Sequence, residues 1–160
     1  MDRARPYVLV VDDLPDAADG LADLAALWGY DAEAHYGGPS ALAAASARPP
    51  AVVVLDVAMP RMDGFAFAAR LRELPGCVRT ALVVVSGRTD GDSQAHCCRL
   101  RIGHYLFKPV DPAAVRDLLA SLVADSGAAH GRTGLPVTAG PETCGPENCD
   151  FLRKLNGAGA

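Results

Sequence analysis

The chain has 160 residues, of which 50% are apolar and 21% are charged, which is the balance of a globular domain with a sizeable core. Its formal net charge of −4 argues weakly against nucleic acid as a direct partner, and no apolar run approaches the roughly 20 residues that span a bilayer. The amino terminus carries only the short run "YVLVV" before two acids, which is not a secretory signal. We therefore predict a cytoplasmic protein without a membrane segment.

Strand and helix patterns alternate from the start of the chain. A β-rich run at residues 7–11 ends in Asp12 and Asp13, and apolar residues at steps of three and four then predict a helix over residues 14–28. A weak strand follows in "DAEAHY", and an alanine-rich helix ends at the two prolines of "ARPP". The stretch "AVVVLD" is apolar without alternation, which is typical of a strand buried on both faces of a parallel sheet.

The same alternation continues through the second half of the chain. A helix over residues 64–74 stops at Pro75 and Gly76, and the strand "ALVVVS" follows. A poorly patterned helix is predicted within residues 92–101, then a short strand "HYLFK" and a clearly amphipathic last helix. Beyond it the composition becomes rich in Gly and Pro. We therefore predict one domain over residues 1–124 and a flexible tail over residues 125–160.

Five strands that alternate with helices predict βαβ crossovers and hence a parallel sheet with helices on both faces. The crossovers should be right-handed, and ligand chemistry in such sheets lies at the carboxyl ends of the strands.

Polar residues follow the carboxyl ends of four of these strands. Asp12 and Asp13 end the first strand, Asp56 the third and Ser86 the fourth, and Lys108 comes directly after the fifth. Three carboxylates that converge on one edge repel each other unless a cation neutralises them, and oxygen ligands suit Mg²⁺. A metal and a lysine would also screen an arriving phosphoryl group, so one aspartate could act as a nucleophile and form an acyl phosphate.

The motifs "VVDD", "LDVAMPRMDG", "VVVSG" and "YLFKP", in this order and at compatible spacing, resemble those of the receiver domain of bacterial two-component response regulators. The resemblance covers residues 6–124. It implies a flavodoxin-like (βα)5 three-layer sandwich of the α/β class, with a five-stranded parallel sheet in the order 2-1-3-4-5. It also implies a phosphoprotein that accepts a phosphoryl group from a sensor histidine kinase or a phosphotransfer protein, and that catalyses its own Mg²⁺-dependent phosphorylation and dephosphorylation.

The resemblance assigns the phosphoryl and metal chemistry to named residues. Asp56 corresponds to the phospho-acceptor, and Asp12 and Asp13 would hold Mg²⁺ together with Asp56 and the backbone carbonyl of Ala58.

The resemblance also implies a switch. Ser86 would hydrogen-bond the phosphoryl group, Lys108 would pair with it, and the peptide bond before Pro109 would be cis. Tyr105 would be the aromatic residue that turns inward when Ser86 moves.

The predicted output is signalling by protein contact or phosphorelay, either as a stand-alone receiver or as a module of a hybrid histidine kinase. The tail is too short and too poorly patterned for a DNA-binding domain, so we expect a downstream protein target and no direct DNA binding. The alternative is a small flavodoxin-like nucleotide-binding or phosphatase protein, which is disfavoured because no glycine-rich loop follows the first strand. A degenerate receiver used only for binding is disfavoured by the intact acidic set.

Several other residues have simpler interpretations. Asp63 is expected to be a helix N-cap rather than a ligand, and the four histidines share no metal spacing. The five cysteines favour neither a disulfide framework nor a zinc site, and Cys144 and Cys149 are interpreted as reduced thiols in the tail. The segment "RLRIGHYLF" departs from the family by placing Arg101 and Ile102 where a glycine-alanine turn is usual, which changes the surface that commonly signals.

Overall fold

A computed structural model describes residues 4–59, 62–87, 100 and 102–128. Its elements in the first half of the chain are β1 (Tyr7–Val11), α1 (Pro15–Leu27), β2 (Asp31–His35), α2 (Gly38–Ala47) and β3 (Val52–Asp56). The second half contains α3 (Gly64–Glu73), a short 3₁₀ helix (Pro75–Cys77), β4 (Ala81–Ser86), β5 (His104–Phe107) and α4 (Pro112–Ala128). The predicted strands are confirmed to within a residue at each end.

The five strands form one parallel sheet in the order β2-β1-β3-β4-β5. This confirms the predicted flavodoxin-like α/β fold. The order changes direction between β1 and β3, and ligand sites of open parallel sheets lie outside such a point.

The two faces of the sheet bury separate apolar clusters. One cluster joins alternate residues of β1, β3 and β4 to α2 and α3, with Phe67 and Leu71 fully buried. The other joins the intervening strand residues to α1 and α4 through Ala25, Val115 and Leu119. Every residue of β1 and β3 is buried, which explains why these strands are apolar runs rather than alternating ones.

Local sequence signals fix the ends of the helices. Pro15 occupies the first turn of α1, and Gly29 follows it with a φ of 99°, a conformation that a side chain disfavours. The Asp63 carboxylate accepts a hydrogen bond from the Ala66 amide at 2.8 Å and caps α3, as predicted. The last helix continues to Ala128.

The edge strand β2 is polar on the face that it turns toward α2. The Tyr7 hydroxyl donates to Glu33 at 2.7 Å, and His35 lies 2.9 Å from Glu33 and 3.1 Å from the Ser40 hydroxyl. The guanidinium of Arg48 lies 4.1 Å from the centre of the Tyr7 ring. The alternation of "DAEAH" therefore reflects a layer of polar contacts between this strand and its neighbours.

Some predictions fall on residues outside the described ranges. They concern the helix within residues 92–101, apart from Leu100, and the thiols of Cys97, Cys98, Cys144 and Cys149, together with the tail from residue 129 onward. Among the described residues, no helix is long and apolar enough to cross a bilayer.

Candidate functional site

Three aspartates meet at the carboxyl edge of the sheet. Val11 of β1 pairs with Leu55 of β3, so the residues that follow them, Asp12 and Asp56, lie side by side. One carboxylate oxygen from each of Asp12, Asp13 and Asp56 lies within 4.8 Å of the others. Asp12 and Asp56 are buried, with 8% and 5% of their surface exposed, and Asp13 is half-buried.

Backbone amides fix the orientation of the two buried carboxylates. Asp12 accepts a hydrogen bond at Oδ1 from the Leu14 amide at 3.0 Å, and Asp56 accepts one at Oδ1 from the Ala58 amide at 3.0 Å. The main chain of Asp12 is also held in place, because its amide donates to the carbonyl of His35 at 3.1 Å. The strands and their first loop residues therefore pre-organise the acids.

Lys108 is the cation of this cluster. Its Nζ lies 3.1 Å from Asp56 Oδ2 and 3.5 Å from Asp12 Oδ2. Burial lowers the pKa of Lys108, but the hydrogen bond to Asp56 and the negative charge of Asp12 outweigh it and raise the pKa above its ordinary value. Lys108 is therefore charged at neutral pH. The peptide bond between Lys108 and Pro109 is cis, as predicted.

The cluster retains an excess of negative charge. Burial raises the pKa of Asp12, the hydrogen bond from Leu14 opposes that rise, and the charge of Asp56 adds to it. One lysine cannot balance three carboxylates. Hard oxygen donors with partial access to water fit Mg²⁺, which binds through few carboxylates and keeps several waters. The acidic cluster therefore has the donor set of a divalent-cation site.

Gly64 packs so closely against the backbone of Asp56 and Val57 that a side chain at this position would clash. A Cβ at residue 64 would lie 2.6 Å from the carbonyl oxygen of Asp56 and 2.8 Å from the Cα of Val57. The Gly64 amide also donates to the Val57 carbonyl at 3.0 Å. The motif "DG" therefore supplies a cap in Asp63 and a close approach in Gly64, and the second role could not be read from the sequence.

Ser86 and Tyr105 lie on neighbouring strands beside the acids. Ser86 ends β4 and is fully buried, one residue beyond the residue that pairs with Asp56. Its carbonyl accepts a hydrogen bond from the Lys108 amide at 3.1 Å, which ties the end of β4 to the lysine. Tyr105 is half-buried on β5 and packs at the margin of the core cluster that includes Val84.

Ala58, the predicted carbonyl ligand, follows β3 in the same loop. Its amide is directed to Asp56, and the residue is exposed. The predicted metal and phosphoryl residues therefore all lie at the described carboxyl edge, whereas Tyr105 lies within β5, where it pairs with Val84.

A cavity of about 240 Å³ lies at the opposite edge, beside the first residues of β4 and β5. Arg72 lines it, but its guanidinium donates to four backbone carbonyls, those of Cys77, Val78, Thr80 and Leu100, at 2.6 to 3.2 Å. This arginine holds the turn before β4 against the segment before β5. The cavity is separate from the acidic cluster.

Comparisons with known proteins agree with this geometry. The sequence model of the response regulator receiver domain family matches residues 8–120. An uncharacterised 14.6 kDa protein of Leptolyngbya boryana is 39% identical over 110 residues, which cover 68% of this chain and 83% of that protein. The transcriptional regulatory protein PrrA of Mycobacterium tuberculosis is 33% identical over 136 residues, which cover 85% of this chain and 58% of PrrA.

Solved structures show the same likeness. The chemotaxis protein CheY4 of Vibrio cholerae superposes with a TM-score of 0.71 at 26% identity, over 74% of this chain and 99% of CheY4. The chain spans about half the length of the transcriptional regulators that it matches, 44% of one and 58% of another.

Proposed function

The chain belongs to the response regulator receiver family of two-component signal transduction, and on that premise we propose that Asp56 is the residue that accepts the phosphoryl group. The observation that carries the proposal is the position of this carboxylate. It ends a fully buried strand, its Oδ1 is fixed by the Ala58 amide at 3.0 Å, and its Oδ2 lies 3.1 Å from Lys108. The neighbouring Asp12 and Asp13 have no such contact with Ala58 among the described hydrogen bonds.

The reaction is a phosphoryl transfer between two nucleophiles. A carboxylate oxygen of Asp56 attacks phosphorus, the bond from phosphorus to the donor histidine nitrogen breaks, and an acyl phosphate forms. Lys108 stabilises the negative charge of the transferred group, because its ion pairs with Asp56 and Asp12 already hold its ammonium group beside the acceptor.

The acidic cluster would hold Mg²⁺ through Asp12, Asp13 and Asp56, with the carbonyl of Ala58 as a further ligand. When bound, the ion neutralises charge at the phosphoryl oxygens. The chain's own part is to keep the carboxylates oriented through the Leu14 and Ala58 amides.

The response to phosphorylation is carried by Ser86 and Tyr105. A phosphoryl group on Asp56 adds negative charge and acceptor oxygens at the end of β3. Ser86, on the adjacent strand, reaches those oxygens if its loop moves toward Asp56, and Tyr105 turns into the space that this movement leaves. The surface around β5 then changes for a partner.

The partners that fit this scheme are a sensor histidine kinase or phosphotransfer protein upstream and a protein target downstream. We assign the receiver to residues 1–124 and propose contact with a protein target, rather than direct DNA binding, as its output. It acts in the cytoplasm, where such kinases deliver their phosphoryl groups. The alternative of a nucleotide-binding or phosphatase protein has no support from the comparisons, and "DDLP" rather than a glycine-rich loop follows β1.

The test is phosphorylation by acetyl phosphate with Mg²⁺, followed by intact-mass spectrometry. Asp56→Asn keeps the shape of the side chain, removes the nucleophile and should abolish an acid-labile gain of one phosphate. Asp63→Asn is the matched control, because asparagine caps a helix as well as aspartate does. Equal labelling of wild type and Asp56→Asn would reject Asp56 as the acceptor.

A further inference from the structure

Phe107 lies directly opposite Ser86, the buried serine of the proposed switch. It is the last residue of β5 and pairs in register with Ser86 of β4. Ser86 is 0% exposed, whereas Phe107 is a large apolar residue with 37% of its surface exposed. A large apolar side chain at an exposed strand end gains little from burial. The polar role at the site belongs to the next residue, Lys108, so Phe107 is not explained by that role.

Phe107 also contacts the proposed switch aromatic. Tyr105 precedes it by two residues, so both side chains leave the same face of β5. Their ring centroids are 5.0 Å apart and the ring planes are tilted by 49°. A tilted aromatic pair at this distance favours the arrangement that contains it by about twofold to tenfold beyond the effect of buried area.

We propose that Phe107 is a positioning residue that holds Tyr105 in its resting orientation until Ser86 moves. The inference rests on the proposed switch and adds a residue to it. On this proposal the inward turn of Tyr105 carries its ring away from Phe107, so that the contact seen at 5.0 Å stabilises only the resting state. An interaction changes the populations of two states only if its free energy differs between them.

The contact between Phe107 and Tyr105 should therefore keep signalling low in the unphosphorylated protein. The described hydrogen bonds and ion pairs of the acidic cluster and of Lys108 do not involve Phe107, so its ring supplies no polar group to the chemistry at Asp56. Removing the ring should raise the ratio of turned-in to resting Tyr105 by about twofold to tenfold in the unphosphorylated protein. The phosphorylation rate should stay at the wild-type value.

The experiment follows Tyr105 by fluorine NMR in the full chain labelled with 3-fluorotyrosine. The chain has 4 tyrosines, and the Tyr105 signal is the one missing from Tyr105→Phe. Spectra are recorded with and without beryllofluoride and Mg²⁺ for the wild type, Phe107→Leu and Phe107→Trp. Val78→Ala is the control for loss of an exposed apolar group, since Val78 is 45% exposed and lies before β4 at the opposite edge.

Phe107→Leu without beryllofluoride should move the Tyr105 signal toward the wild-type beryllofluoride position, while Phe107→Trp and Val78→Ala should not. If Phe107→Leu leaves the resting signal unchanged, or moves it away, while beryllofluoride still shifts the wild type, the inference is wrong and the proposed switch stands. If beryllofluoride leaves Tyr105 unmoved in the wild type, the switch itself fails and the role of Phe107 fails with it.

Discussion

Replacing Gly64 by alanine tests how the backbone of the acceptor aspartate is held. The added Cβ would lie 2.6 Å from the Asp56 carbonyl oxygen and 2.8 Å from the Val57 Cα. Both are backbone atoms of a buried strand and its first loop residue, so neither can rotate away. Overpacking of this kind costs about 1–3 kcal/mol, and contact with two backbone atoms indicates the upper end of that range.

The favourable effects of alanine are smaller. Alanine in place of glycine stabilises a compatible helix position by about 0.5–1 kcal/mol. For Gly64→Ala the net effect is therefore a loss of about 2 kcal/mol in the free energy of unfolding. In a chain of 160 residues such a loss lowers the Tm by roughly 4–8 °C.

Gly20 provides the matched control. It lies within α1, is exposed, and has no atom within 4 Å of the position that an added Cβ would take, so Gly20→Ala should instead stabilise the fold by about 0.5–1 kcal/mol. The two variants should thus differ by about 3 kcal/mol in urea denaturation. Gly64→Ala should also slow phosphorylation by acetyl phosphate, because the Asp56 backbone must shift. Equal stabilisation by both substitutions would refute the steric reasoning.

Three other predictions follow from the described contacts. Asp13→Ala should weaken Mg²⁺ binding about tenfold or more by calorimetry and raise stability without metal, whereas the exposed Asp16→Ala should do neither; unchanged affinity would remove Asp13 from the site. Ser86→Ala should still be phosphorylated but lose most of a partner-affinity shift of about 1–3 kcal/mol on addition of beryllofluoride, and a full wild-type shift would exclude its role. Tyr7→Phe should cost about 0.5–1.5 kcal/mol at pH 7, because it removes the hydrogen bond that most lowers the pKa of Glu33. A carboxyl with a lowered folded-state pKa stabilises the fold above its unfolded value, so that cost should shrink as the pH falls below 4.5, and a cost independent of pH would contradict it.

The sequence alone predicted the strands, their parallel arrangement and the edge at which Asp12, Asp13, Asp56 and Lys108 meet. These features follow from local periodicity and from the rule that parallel strands present their carboxyl ends together. The cap at Asp63 was equally readable, since an N-cap needs only the first turn of its own helix.

Only the tertiary structure placed Phe107 opposite Ser86, brought Gly64 onto the Asp56 carbonyl and joined Tyr7 to Glu33. Each pair combines residues from separate segments, and the register between neighbouring strands decides which side chains meet. A shift of one residue in that register would turn every side chain of a strand to the other face. The residues that carry the chemistry of the site lie at the ends of strands, so the sequence identifies them. The contacts that position these residues depend on how the strands pair, which only the tertiary structure shows.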